Sequence, residues 1–155
     1  MTKLSLLLKV LEGESSETIT NQLRIFHERA LPDLAANIKC GNSLIGPDFY
    51  NGRQMSLLDD DERYRINVFD WHDKKHGFGS IMAAGGFNAI ITNPPWVMAG
   101  YYIGSEMDCL RREYQSAEGK FDLYYLFIEK GLRLLSKAGR FGTIVPNKFF
   151  HTRAA

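Results

Sequence analysis

The sequence predicts an α/β fold with a parallel sheet, and three stretches in its second half carry that prediction. Residues 87–92 and 141–145 are short, mainly apolar runs with β-branched residues, which is typical of buried strands. Between them an apolar stripe lies on one helical face, formed by Phe121, Tyr124, Tyr125, Ile128, Leu132 and Leu135. A strand, a helix and a second strand in this order form a parallel crossover unit.

A helical lead-in, residues 1–31, is predicted ahead of the core. Leu4, Leu7, Leu8 and Leu11 fall on one face of a helix predicted at residues 3–11, and a loop rich in Gly, Ser, Glu and Thr follows it. A second helix is predicted at 21–30, and it ends before Pro32 because proline disfavours helical geometry in the preceding residue. We therefore expect two short helices before the core begins.

Residues 32–150 hold the predicted core, which is interrupted by a polar insertion at 47–85. A short strand is predicted at 37–40, before the insertion. Within the insertion, the acidic run at 59–62 is expected to be solvated. The core is therefore predicted to be assembled from blocks that are distant in the chain.

Aromatic residues and glycines mark the segment that leads to the first strand of the crossover. Phe69 and Trp71 are expected to pack in the core at the start of a helix that runs toward Ala84. Gly85 and Gly86 then break the chain before the strand. After the strand, residues 97–119 are predicted to form a long loop.

Composition narrows the classes of protein that the chain can belong to. With 155 residues and 45% apolar composition, the chain can form one domain, and no apolar run approaches the ~20 residues that span a bilayer. The net charge is only +1, whereas a self-sufficient DNA-binding domain usually presents a basic face. Cys40 and Cys109 are too few for a disulfide framework, which favours the reducing cytoplasm.

The motif Asn93-Pro94-Pro95-Trp96 directly follows the first predicted strand. Two consecutive prolines fix the backbone, so the Asn93 amide oxygen and the Pro94 carbonyl oxygen are held in place. Such acceptors can bind the two N–H groups of a planar amine and stabilise the positive charge that develops on its nitrogen during attack. Trp96 offers a flat face for stacking. The alternative is a proline-rich turn with a core tryptophan.

Three blocks of sequence, at 37–45, 86–96 and 120–147, occur in an order and spacing that resemble the adenine-N6 DNA methyltransferases. The chain is most similar to the large restriction–modification enzymes that fuse or pair methylation with cleavage. The resemblance extends over residues 32–150 and implies that residues 1–155 form a partial methyltransferase catalytic domain. The implied fold is part of a doubly wound, mostly parallel Rossmann-like sheet.

The resemblance implies transfer of a methyl group to adenine in double-stranded DNA. Asn93 and Pro94 are then the hydrogen-bond acceptors for the adenine amine, and Pro95 makes the loop rigid. Trp96, which replaces the commoner tyrosine of the family, stacks on the target base after the base has left the helix.

The implied cofactor is S-adenosylmethionine, with Asn42, Asn93 and Asp122 as the cofactor-binding residues. Asn42 follows the predicted strand at 37–40, and its alternative role is that of a turn former beside Gly41. Asp122 precedes the predicted helix, and its alternative role is that of a helix cap.

The chain also departs from the family pattern. No strand followed by a glycine-rich turn precedes residue 37, and no acidic residue follows a second strand, although such enzymes use both to hold the cofactor. We therefore expect the sheet to lack its first strands and the isolated chain to be inactive. The expected partners are an upstream complementing polypeptide and a recognition domain or subunit that this chain does not contain.

Two further functions remain open at this point. The chain can be a non-catalytic remnant, or a fragment that complements another chain in a split enzyme. It can also be a methyltransferase that acts on RNA or on a protein glutamine, since the proline motif suits any planar amino group. No metal is expected, because His72 and His76 have helical ligand spacing but no third ligand is evident nearby.

Overall fold

A computed structural model describes residues 36–51, 60–102 and 104–151 of the chain. The two helices predicted at 3–11 and 21–30 lie outside these ranges. The chain divides into two compact units, residues 1–40 and residues 41–155, and the second contains most of the described residues.

In the first unit, the described residues form a turn at 36–37 and irregular backbone at 38–40. The strand predicted at 37–40 is therefore wrong. A strand satisfies its backbone groups only where a neighbour pairs with it. In the second unit such pairing begins at Asn42, which forms a single parallel bridge with Val68.

The second unit combines helices with a two-stranded parallel sheet, which confirms the α/β prediction. Its described helices and strands are α1 (Asp60–Ile66), α2 (Gly79–Ala83), β1 (Phe87–Thr92), α3 (Ser105–Glu113), α4 (Leu123–Leu134) and β2 (Leu135–Thr143). Single 3-10 turns occupy Pro47–Tyr50, Ala99–Tyr101 and Asn147–Phe150.

The pairing of β1 with β2 contains one large irregularity. Phe87 lies opposite Leu135, and Ala89 lies opposite Arg140. One residue of β1, Asn88, therefore corresponds to the four residues 136–139 of β2, and this segment with its three extra residues bulges out of the ladder. Beyond the bulge the two strands pair in register to their ends.

Helix α4 connects the two strands and packs against the sheet. It ends at Leu134, and β2 begins at the next residue, so no loop separates them. A side chain at Gly131 would place its Cβ 2.3 Å from Cε2 of Phe141, so glycine allows the helix to lie close to β2. The predicted order of strand, helix and parallel strand is therefore confirmed.

The two strands are less buried than the sequence predicts. Ile90 and Phe141 lie opposite each other on the face toward α4, and both are half-buried. Ile91 points to the other face, because side chains alternate along a strand, and it is 89% exposed. The prediction of two buried strands is wrong because the described aromatic cluster covers that second face only at Phe87 and leaves Ile91 open.

The main buried core lies around α3 and the first half of α4. Cys109 and Leu110 of α3 are buried, so the prediction of a loop throughout 97–119 is wrong over Ser105–Glu113. The sequence did not predict this helix because six of its nine residues are polar or charged. The other three, Met107, Cys109 and Leu110, form only a short apolar stripe. The core cluster consists of Leu44, Ile45, Phe49, Ile66, Ala99, Cys109, Leu110, Tyr114, Ala117, Phe121, Leu123 and Leu126.

The polar stretch at 47–85 also contributes to this core. Phe49 and Ile66 are buried within it, whereas Asp60 and Asp61 of the acidic run are exposed, as expected. An ion pair of 2.9 Å joins Arg65 of α1 to Glu106 of α3, whose side chain is only 8% exposed. The stretch is thereby fixed to α3.

A second, aromatic cluster precedes β1. Trp71 stacks on Phe78 with 5.8 Å between ring centroids, and Phe69 and Phe87 contact these rings edge-on or tilted. Trp71 also donates its indole N–H to the Ser43 carbonyl oxygen. The packing roles predicted for Phe69 and Trp71 are confirmed. The helix predicted to follow them is limited to α2, because turns occupy most of residues 71–77.

In the described parts of the chain, no helix combines the length and the apolar character that a bilayer crossing requires.

Candidate active site

The predicted motif forms a loop at the carboxyl end of β1. We call residues 93–96 the proline loop. Within this loop, Pro94 is buried, Asn93 is exposed, and the Trp96 residue is 54% exposed. Neither the Asn93 side chain nor the Pro94 carbonyl oxygen is hydrogen-bonded to another described residue. The loop therefore keeps the hydrogen-bonding capacity of both predicted acceptors.

The indole ring of Trp96 is fixed at its edge. Its Nε1 donates a hydrogen bond of 3.2 Å to the carbonyl oxygen of Ile144, the first residue after β2. The Ile144 N–H in turn donates to the carbonyl oxygen of Thr92, the last residue of β1. Because the first bond holds the ring by its edge and the second fixes its acceptor residue to β1, a face of the ring can remain available for stacking.

The chain after the proline loop pairs with the segment that precedes α4. Leu123 N–H donates to the Val97 carbonyl oxygen at 2.9 Å, and Ala99 N–H donates to the Phe121 carbonyl oxygen at 3.0 Å. Met98 and Asp122 lie opposite each other in the resulting antiparallel bridge. The structure therefore places Asp122 close to the proline loop.

The Asp122 carboxylate faces a lysine. Its Oδ2 lies 2.5 Å from Nζ of Lys148, and the side chain is only 13% exposed. Asp122 occupies the N-cap position of α4, but its side chain makes no capping hydrogen bond. The alternative of a plain helix cap is therefore wrong, because the ion pair turns the carboxylate away from the helix N–H groups.

A cavity of about 310 Å³ opens beside this ion pair. Tyr124 is fully buried in its wall, and its hydroxyl has no hydrogen-bond partner among the described residues. Burial, followed by the neighbouring Tyr125, raises the pKa of the Tyr124 phenol, which therefore stays neutral at physiological pH. The residues that line this cavity are Met98, Lys120, Phe121, Asp122, Tyr124, Tyr125 and Lys148.

Asn42 lies in a turn rather than at the end of a strand. Its Oδ1 accepts hydrogen bonds from the backbone N–H groups of Leu44 and Ile45, at 3.0 and 3.3 Å. Burial, and after it Glu106, raises the pKa of the Tyr102 phenol, and the Asn42 side chain partly opposes this shift. Asn42 therefore shows the features of the predicted turn former, and its amide oxygen is engaged.

A larger cavity, of about 550 Å³, runs along α4. Glu129 in its wall accepts hydrogen bonds from the backbone N–H groups of Gln115 and Ser116, from the Ser116 hydroxyl and from Arg133. Burial opposes ionisation of Glu129, but these bonds outweigh it and lower the pKa of the carboxyl. The network joins the chain after α3 to the middle of α4.

The two histidines with ligand spacing lie in a turn. The Asp73 carboxylate accepts backbone N–H groups from His76 and Lys75, and these bonds lower its pKa. Among the described residues, no group of three or more His, Cys, Asp or Glu side chains is arranged to hold a metal ion.

Sequence reasoning missed two contributors to this site. Lys148 belongs to a basic tail that looks like ordinary solvated surface, and the Ile144 contribution is a main-chain oxygen, which no residue type reveals. The one available signal was position, because both residues follow β2, and parallel strands end at the same edge of a sheet.

The proline loop presents hydrogen-bond acceptors next to an aromatic ring. Asn93 and Pro94 offer two acceptor oxygens, and the ring of Trp96 lies two residues after Pro94 with its edge fixed. Backbone and side-chain acceptors of this kind are suited to binding the N–H groups of a heterocyclic amine.

Comparison with known proteins places the chain in a family. The sequence model of the Eco57I restriction-modification methylases matches residues 1–155. The chain is 35% identical over 152 residues to the Type II restriction enzyme and methyltransferase RM.Eco57I of Escherichia coli. That match covers 96% of this chain but only 13% of the relative. No solved structure matches the chain. The chain belongs to the Eco57I restriction-modification methylase family.

Proposed function

We propose that the chain supplies the target-base side of a catalytic site that methylates adenine N6 in double-stranded DNA. The methylation serves a restriction–modification system in the cytoplasm. The observation that carries this proposal is the proline loop, in which the exposed Asn93 amide has no described partner while Trp96 is held by Ile144. The family supports methylation, since the relative is named a restriction enzyme and methyltransferase.

The proposed chemistry of the loop is activation of a weak nucleophile. The lone pair of the adenine N6 amine is delocalised into the ring. Hydrogen bonds from its two N–H groups to Asn93 Oδ1 and the Pro94 carbonyl oxygen draw the nitrogen toward tetrahedral geometry and stabilise its developing positive charge. Pro95 limits backbone motion, and Trp96 stacks on the extruded base.

S-adenosylmethionine is the proposed methyl donor, but the described residues do not form a complete site for it. Of the three residues expected to bind it, Asn42 uses its amide oxygen within its own turn, and Asp122 is paired with Lys148. Only Asn93 has a side chain without a described partner. We therefore derive no step of the reaction from contacts with this cofactor.

These engaged side chains favour a second candidate function, that of a complementing fragment. In this case another polypeptide supplies the cofactor site and completes the doubly wound sheet, and a recognition domain or subunit contacts the DNA. The exposed Ile91 on the uncovered sheet face is consistent with such a complement.

Methylation and cofactor binding test the two candidates separately. The chain is incubated with duplex DNA and radiolabelled S-adenosylmethionine, alone and with the polypeptide encoded upstream, and the methylated nucleoside is identified by mass spectrometry. Calorimetric titration with S-adenosylmethionine runs in parallel. Activity only with the upstream polypeptide supports the complementing fragment, and N4-methylcytosine as the product contradicts adenine specificity.

The role of the loop is tested by Asn93→Ala, which is expected to abolish methylation without changing the melting temperature. Asn88→Ala is the matched control, because Asn88 is also exposed and lies on β1, the strand that leads into the loop, where it contacts Ser136. Full activity of the Asn93→Ala protein would contradict the proposed role of the loop.

A further inference from the structure

We propose that Lys148 is a positioning residue for the proline loop and that it acts through Asp122. This inference rests on the function proposed for the loop, and it adds a residue outside the predicted motif. It assigns Asp122 to the support of the loop rather than to cofactor binding.

The first step is the contact between Lys148 and Asp122. Their charged atoms lie 2.5 Å apart, with the Asp122 side chain 13% exposed and the Lys148 side chain 58% exposed. A carboxylate that is removed from water to this extent depends on its partner, because an unpaired buried charge is strongly unfavourable. Lys148 therefore determines where the Asp122 side chain lies.

The second step runs from Asp122 to the proline loop. Asp122 is bridged to Met98, and the next residue, Leu123, donates its N–H to the carbonyl oxygen of Val97. Val97 directly follows Trp96. A shift of the backbone at Asp122 is thus transmitted through one hydrogen bond and one peptide unit to the stacking ring.

The third step is the position of Lys148 itself. It lies in the 3-10 turn Asn147–Phe150, in which Phe149 N–H donates to the Pro146 carbonyl oxygen. The Lys148 ammonium also lies 5.9 Å from the centroid of the Tyr124 ring, within the range of a cation–π contact. These contacts direct the lysine side chain across the end of β2 toward the start of α4.

Together these contacts hold the carboxyl-terminal end of the proline loop at two points. Trp96 itself is bonded to Ile144, and the chain that follows it is held through Asp122 by Lys148. Both anchors come from residues 144–148, which follow β2. Residues 144–148 therefore act as a common support for the loop, and within this segment Lys148 makes the charged contact with Asp122.

The expected effect of Lys148→Met is a fall in kcat with little change in KM for S-adenosylmethionine. A displacement of about 1 Å at a reacting group can lower the rate on the order of 100-fold, and we expect a loss of roughly 10- to 100-fold. Charge exchange in the double variant Asp122→Lys/Lys148→Asp is expected to recover much of the activity that Lys148→Met loses. Lys120→Met is the control, since Lys120 borders the same cavity but forms no ion pair with a described residue.

A measurement without DNA or activity tests the positional claim on its own. The chain is labelled with 5-fluorotryptophan, and its two tryptophan resonances are assigned with Trp96→Phe. Lys148→Met is expected to shift or broaden the Trp96 resonance and to leave that of Trp71 unchanged, and the charge-exchanged pair is expected to restore it. An unchanged Trp96 resonance in Lys148→Met overturns the inference.

The two proposals can fail independently. If Asn93→Ala is fully active while Lys148→Met still perturbs Trp96, the loop is supported by Lys148 but does not perform the chemistry. If Asn93→Ala is inactive while Lys148→Met matches the wild type in kcat and in its fluorine spectrum, the chemistry stands and the positioning role is wrong.

Discussion

Trp96 and Ile144, 48 residues apart in the chain, are joined by a hydrogen bond from the indole nitrogen to a main-chain oxygen. The bond connects the segment after β1 with the segment after β2, and it uses the polar edge of the ring. An aromatic residue that is 54% exposed would otherwise be free to change its rotamer. The Ile144 carbonyl thus fixes the orientation of the surface on which a base is proposed to stack.

Replacement of Trp96 should separate stacking from anchoring. Trp96→Phe keeps a flat ring and loses the bond to Ile144, so we expect a loss of a few-fold in methylation rate. Trp96→Ala also removes the stacking surface, which is worth about 1–3 kcal/mol per base, and should weaken binding of an extruded base roughly 5- to 150-fold. Fluorescence of 2-aminopurine at the target position measures this binding. Tyr64→Ala is the control, since Tyr64 is a highly exposed aromatic residue of α1. Equal signals from the alanine variant and the wild type would exclude stacking.

Gly131→Ala should destabilise the fold by overpacking. The added Cβ would lie 2.3 Å from Phe141, which forces the helix and the strand apart. Overpacking of this kind costs about 1–3 kcal/mol. Chemical denaturation measures the change in the free energy of unfolding. Gly100→Ala is the matched control, because nothing lies within 4 Å of its added Cβ.

The same contact predicts a compensating change. Phe141→Leu shortens the side chain that meets the new Cβ, so the double variant should recover part of the stability that Gly131→Ala loses. Additive losses in the double variant would mean that the close approach of α4 to β2 is not the cause.

Tyr114→Phe should lower stability through a single lost hydrogen bond. The Tyr114 hydroxyl donates to the Leu44 carbonyl oxygen at 2.7 Å, and the residue is buried, which raises the pKa of the phenol. Its removal leaves a buried carbonyl without that donor, at a cost of about 1–3 kcal/mol. Thermal and chemical denaturation measure the loss, and Tyr64→Phe at an exposed position should have no effect. If the free energy of unfolding of Tyr114→Phe equals that of the wild type, water has replaced the hydroxyl as the donor to Leu44.

Glu129 should make the stability of the chain depend on pH in the acid range. Its pKa in the folded chain is lowered from 4.5, because hydrogen bonds to Ser116 and Gln115 outweigh the effect of burial. The stabilisation is therefore fully present above pH 4.5 and is lost as the pH falls through the lowered folded-state pKa. At pH 7, Glu129→Gln should cost about 1–3 kcal/mol.

The measurement for Glu129 is the melting temperature as a function of pH for the wild type and for Glu129→Gln. The difference between the two proteins should shrink below pH 4.5. Glu118→Gln, at an exposed carboxylate, is the control and should follow the wild type throughout. A difference that stays constant down to pH 2 would assign the effect to packing rather than to charge.

Local patterns were sufficient to predict β1 and α4 from the sequence. The apolar stripe from Phe121 to Leu135 gives α4 to within two residues at its start and one at its end, because a long amphipathic period has few alternatives. Gly86 and Pro94 bracket β1 because both interrupt regular structure. The proximity of Asp122 to the proline loop follows from the same order of elements.

The features that the sequence did not predict depend on contacts between distant residues. Helix α3 has little apolar surface of its own, and it is stabilised by burial of Leu110 and by the Arg65–Glu106 ion pair. The pairing of Lys148 with Asp122 produces no periodic pattern in the sequence, so no pattern predicts it. The exposure of Ile91 depends on which elements cover the sheet, which the composition of a strand does not determine.

The direct passage from α4 into β2 has a consequence for changes in chain length. One residue inserted into the helix would rotate the following chain by about 100°, and one residue inserted into the paired part of the strand would reverse its faces. The bulge at 136–139 lies outside the ladder and can lengthen without either effect. It is therefore the place where a tag or a fused reporter domain could be grafted into the crossover while the spacing between Ile144 and the proline loop is preserved.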